Sequence, residues 1–88
     1  MGQCAAVHDL MPDSTDFDLE ALSKKIASIV PEGVKVVRSE VLPLAFGLCM
    51  LEVTTIMLDS EGILEKLEAA YRSLEGIQNV EAKEVGLI

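Results

Sequence analysis

The stretch Leu48-Cys49-Met50-Leu51-Glu52-Val53-Thr54-Thr55-Ile56-Met57-Leu58 decides the fold. Its β-branched centre, Val53-Thr54-Thr55-Ile56, packs well on a pleated surface and favours an extended chain. Strand alternation places Leu51, Val53, Thr55 and Met57 on one face, and Met50, Glu52, Thr54, Ile56 and Leu58 on the other. Immediately upstream, Val34 to Leu42 reads as a second strand with a partly charged face. Pro43 to Gly47 connects the two over a span short enough for a hairpin. The rest of the chain must complete a pattern built around this central hairpin.

Working outward, each side repeats a helix and then a strand. Upstream, Pro31-Glu32-Gly33 stops a helix whose apolar stripe is Leu19, Leu22, Ile26 and Ile29. Asp18 is placed as its N-cap, with Asp16 as the other candidate. Gln3 to Met11 reads as the first strand, ended by Pro12. Its two faces are almost equally apolar, so the pattern leaves open which one turns inward. Downstream, Asp59-Ser60-Glu61-Gly62 breaks the strand, and a second helix from Ile63 to Leu74 carries Leu64, Leu67, Tyr71 and Leu74. Gly76 suits its C-terminal cap, and Ile77 to Val85 is the last strand, followed by the tail Gly86-Leu87-Ile88. Strand, helix, strand, strand, helix, strand is the split βαβ order. It predicts one α+β ferredoxin-like βαββαβ sandwich over residues 1–88. Both helices are expected on one face of a four-stranded antiparallel sheet of order 4-1-3-2. The other face has no helix layer, and Met50, Ile56 and Leu58 give it apolar area that suits a partner or weak self-association.

Composition narrows the function classes. The 88 residues suit one modest core, and half of them are apolar, which argues against disorder. Fifteen acidic residues against seven basic ones, a formal charge of -8, argue against direct nucleic-acid binding, which relies on Lys and Arg at phosphates. A basic patch on a partner protein is attracted instead. The run Val41 to Leu51 is too short to span a bilayer. The start, Met1-Gly2-Gln3-Cys4, shows neither a signal-peptide pattern nor, with Ala6, a myristoylation signal. Cys4 and Cys49 lack metal or redox spacing and read as small buried hydrophobes. The expected location is therefore the cytoplasm.

Catalytic constellations are absent from the sequence pattern. There is no Walker A or GxGxxG run, so no phosphate-binding loop is indicated. His8 adjoins Asp9, but strand neighbours point to opposite faces and do not form a dyad. An inward His8 is expected to donate to a backbone carbonyl. Glu65, Glu68 and Glu75 read as helix-surface acids. No metal or cofactor is implied, and the expectation is a binding protein that is not an enzyme.

Several segments, in order, carry a resemblance. They are Leu10-Met11-Pro12-Asp13-Ser14, then Phe17-Asp18-Leu19-Glu20-Ala21-Leu22, then Ile29-Val30-Pro31-Glu32-Gly33. Pro43-Leu44-Ala45-Phe46-Gly47-Leu48 is the most specific. Asp59-Ser60-Glu61-Gly62, Leu74-Glu75-Gly76-Ile77 and the ending Leu87-Ile88 follow. Together the chain resembles the archaeal elongation factor 1-beta family, similar to the C-terminal exchange domain of the eukaryotic protein. The resemblance implies a ferredoxin-like fold and exchange of GDP for GTP on the translation GTPase elongation factor 1-alpha. It also implies that Ala45, Phe46 and Gly47, together with the tail at Val85, Gly86, Leu87 and Ile88, lie toward that partner. Two departures stand out. Cys49, Met50 and Glu52 occupy a stretch where the family usually carries lysine, and the tail lacks the family's basic residue. Lys83 is the nearest cation, so the expected partner-binding set is Ala45, Phe46, Gly47, Lys83, Leu87 and Ile88. The alternative is a non-enzymatic ferredoxin-like protein-binding or small-ligand regulatory module, with a homodimer as one form, that has lost exchange activity.

Overall fold

The computed structural model describes residues 2–58 and 62–87. The expected turn at Asp59, Ser60 and Glu61 lies outside the described residues. The elements are β1 (Gln3–Pro12), α1 (Leu19–Ile29), β2 (Val34–Pro43), a single 3-10 turn (Ala45–Gly47), β3 (Cys49–Leu58), α2 (Ile63–Arg72) and β4 (Ile77–Leu87). The strands form one antiparallel sheet in the order β2-β3-β1-β4, the expected order read from the opposite edge. Both helices cover one face, giving the ferredoxin-like sandwich.

Local sequence accounts for the ends of α1. The Asp18 carboxylate accepts from the Ala21 amide at 3.0 Å, satisfying one of the free donors at the helix start. At the other corner, the Asp13 amide donates to the Gly76 carbonyl at 2.9 Å, and the Phe17 ring lies against Gly76. Gly76 is not the cap of α2, which is Ser73; it lies in the turn that follows, at φ +88°, where a Cβ would overlap the Phe17 ring. Only glycine fits both the left-handed backbone and this close approach.

The structure settles which face of β1 is inward. Ala6, His8 and Leu10 join Leu51, Val53 and Met57 of β3, Leu19, Leu22 and Ile26 of α1, and Leu67 and Tyr71 of α2 in the buried layer. His8 is fully buried, but its partner is not a backbone carbonyl. Its Nε2 lies 2.9 Å from Oε2 of Glu68, and its ring meets Tyr71 edge-on with centroids 5.2 Å apart. Glu68 is thus not a solvated helix acid, because the inward face of α2 carries it over β1. The tail differs as well: Gly86 and Leu87 continue β4, paired with Ala5 and Cys4, so the last strand runs past Val85. Cys4 and Cys49 are free thiols and only partly buried.

Candidate partner-binding site

The β2–β3 connection is a tight turn. The Leu44 amide donates to the Leu48 carbonyl at 2.6 Å and closes it. Within it, Phe46 sits at φ 61°, ψ 32°, and Gly47 follows at φ 77°. Two successive left-handed residues reverse the chain. Glycine adopts that region freely, whereas phenylalanine pays roughly 1–2 kcal/mol for it. The Phe46 ring is 97% exposed. Of the two roles open to a large aromatic here, anchoring the hairpin on the core is thereby removed. Leu44 and Val41 are also exposed beside it, and a groove of about 200 Å³ runs alongside, lined by residues including Pro12, Phe17, Val41, Gly47 and Cys49.

The remaining expected residues lie elsewhere. Leu87 pairs with Cys4 at the start of β1, whereas the Phe46 turn precedes the end of β3 that pairs with Leu10. From Cys49, just after the turn, to Met57, level with Leu87 through Cys4, is eight residue steps, so the two ends are roughly 26 Å apart along the strand at ~3.3 Å per residue. Leu87 is 72% exposed, and Val85 is exposed near it. Ile88 lies outside the described residues, and of Ala45 only the backbone is described. The expected set is therefore not one cluster but two ends of an elongated sheet.

Lys83 lies between them. A register shift in β4 skips it: Glu84 pairs with Val7 and Ala82 with His8. This β-bulge sends Lys83 onto the open face. Its ammonium donates to Glu52 Oε2 at 3.1 Å and stands 3.9 Å from Asp9 Oδ2. The hydrogen bond to Glu52 and the charge of Asp9 push its pKa up from the ordinary lysine value. Asp9 is only 6% exposed although it faces away from the helices. Burial raises its pKa above the usual aspartate value. Lys83 opposes that shift, and the neighbouring charges of Glu52 and Glu81 reinforce it. Sequence reasoning named Lys83 but not the carboxylates beside it, because strand register is a tertiary quantity. Among the described residues no group of histidine, cysteine and acidic side chains is placed to hold a metal ion. No described helix is long and apolar enough to cross a membrane.

Residues 5–88 match the family described as EF-1 guanine nucleotide exchange domain. The chain belongs to that family. It is 40% identical over 85 residues to elongation factor 1-beta of Methanothermobacter thermautotrophicus, covering 97% of this chain and 96% of the relative. It is 41% identical over 87 residues to the protein of the same name from Methanosarcina barkeri, with 97% of each covered. It is 36% identical over 88 residues to that of Natronomonas pharaonis, with 100% of each covered. This membership corrects the expectation of a protein without enzymatic character. That expectation rested on missing nucleophile and metal sets. A nucleotide exchange domain needs neither, because speeding exchange requires differential binding to states of a partner rather than bond chemistry of its own.

Proposed function

We propose that this protein promotes exchange of GDP for GTP on the elongation factor 1-alpha GTPase, in the cytoplasm. The observation that carries the reading is Phe46: a fully exposed aromatic ring on a strained backbone adds nothing to the fold and suits a partner pocket. Ala45, Phe46 and Gly47 are the contact at one end of the sheet. Leu87 and Ile88 are the contact at the other, with Lys83 between them. The antiparallel sheet acts as a rigid spacer, so two contacts roughly 26 Å apart grip two regions of the GTPase at once. Exchange is then driven by binding energy: the protein holds best the GTPase conformation that holds GDP worst. The tail offers no cation, and Lys83 is occupied by Glu52 and Asp9. Displacement of the bound nucleotide by backbone and apolar wedging fits these residues better than competition by a free ammonium. The acidic surface leaves nucleic acid and membranes as poor partners.

The test is the release rate of fluorescent GDP from elongation factor 1-alpha, with and without the protein. Acceleration that saturates with protein concentration is expected. Phe46→Ala should weaken GTPase binding by about 2 kcal/mol, roughly thirtyfold in Kd, while its melting temperature stays near that of the parent. Unchanged release at saturating protein removes the reading.

A further inference from the structure

The open face of the sheet carries a row of carboxylates that the exchange reading does not use. By register, Glu40 on β2 stands opposite Glu52 on β3, Glu52 opposite Asp9 on β1, and Asp9 opposite Glu81 on β4. One rung therefore places four acids side by side across all four strands. Like charges directly opposite one another destabilise a sheet. Two cations answer them: Arg38 bonds Glu40 at 2.7 Å, and Lys83 is shared between Glu52 and Asp9. Glu81 has no ion pair among the described residues. Asp9 supplies an independent observation: it is more than nine-tenths buried within the row, and its Oδ1 has no hydrogen-bond partner.

We infer that this rung is a docking surface for a protein partner presenting lysine or arginine side chains. The chemistry of the occupant follows from the structure itself, because a lysine ammonium already fits between Glu52 and Asp9. Lys83 is half exposed and reaches the rung from a bulge, so its long stem can yield the position to an incoming cation. A single metal ion is the poorer match. Such an ion gathers oxygens at about 2.0–2.6 Å from one point, whereas neighbouring strands hold these carboxylates on backbones ~4.8 Å apart. Beyond the rung, Val7, Thr54, Ala5 and Ile56 continue the open face on the two central strands as a mostly apolar strip toward the Leu87 end, with Glu84 on its β4 side and Arg38 and Lys35 on its β2 side. A basic segment with apolar neighbours matches both halves.

The test uses the whole chain without the GTPase, so its outcome is independent of the exchange reading. Hexalysine peptide is titrated at low ionic strength and followed by backbone amide NMR. The largest shifts are expected at Glu40, Glu52, Asp9 and Glu81, with saturable binding. The double variant Glu52→Gln/Glu81→Gln should bind at least about fivefold more weakly, from two lost charge pairs. The charge-matched helix variant Glu20→Gln/Glu65→Gln should bind as the parent does. Glu81→Lys, which alters only an exposed edge position, should abolish saturable binding and serves if the double variant fails to fold. Equal weakening by the helix variant would show general attraction to a net acidic protein and overturn the inference. So would the same shifts produced by Mg²⁺ at equal concentration, or no saturable binding.

Discussion

His8 and Asp9 are neighbours on β1, and both are almost wholly buried, yet their surroundings have little in common. His8 faces the helices, where Glu68 and Tyr71 close over it and one ring nitrogen finds a carboxylate. Asp9 faces the open side, where no helix covers it and the side chains of adjacent strands enclose it. The helix face buries one matched pair, His8 with Glu68, beside a His8 Nδ1 and a Tyr71 hydroxyl that have no hydrogen-bond partner, and the other face crowds like charges together. A matched pair holds α2 in register on the sheet. Crowded carboxylates leave free energy that a cationic partner can recover.

The comparison breaks most visibly at His8. His8→Ala should destabilise the fold by about 3 kcal/mol, from a cavity plus a stranded Glu68 carboxylate, measured by urea unfolding. A loss below ~1 kcal/mol would mean that the helix side is no better matched than the open side.

The next largest effect is at the corner that seals the helix side. Gly76→Ala forces a Cβ into the Phe17 ring on a left-handed backbone, and a loss of about 2 kcal/mol is expected in the same assay. The open side should respond with the opposite sign. Asp9→Asn removes one acid from the row and should raise stability by about 1 kcal/mol at neutral pH. The folded chain holds the Asp9 proton more tightly than the unfolded chain does. This contribution therefore favours folding in acid, below the unfolded aspartate value, and is lost as pH rises through the raised value. The variant's advantage should accordingly grow with pH across the carboxylate range, and melting curves of both proteins against pH check it. The smallest effect is expected at Tyr71. Its buried hydroxyl has no partner, and burial pushes its pKa up. Tyr71→Phe should therefore leave stability within about 0.5 kcal/mol of the parent or raise it. A clear loss would reveal a bond to that hydroxyl and extend the matched network from His8.

Much of the architecture was legible from residue pattern. The three-and-four spacing of Leu19, Leu22 and Ile26, the Asp18 cap, and the alternation Leu51, Val53, Thr55 each encode local geometry, and the structure places them as expected. The last strand was less legible, because a glycine after Val85 reads locally as the start of a tail while its pairing with Ala5 depends on a distant strand.

The sequence by itself determined the element order, the Asp18 cap of α1, the two-faced alternation of β3 and the family, since these depend on residues close along the chain or on their order; which face of β3 turns inward was left to the packing of the core. Only the tertiary structure decided that His8 meets Glu68, sixty residues away, and that β1 turns Ala6, His8 and Leu10 inward. It alone aligned Glu40, Glu52, Asp9 and Glu81 on one rung, and it alone separated Phe46 from Leu87 by the length of the sheet. The physical reason is register: a one-residue slip between strands changes every cross-strand neighbour and turns each side chain to the other face, and packing of the whole core sets that register.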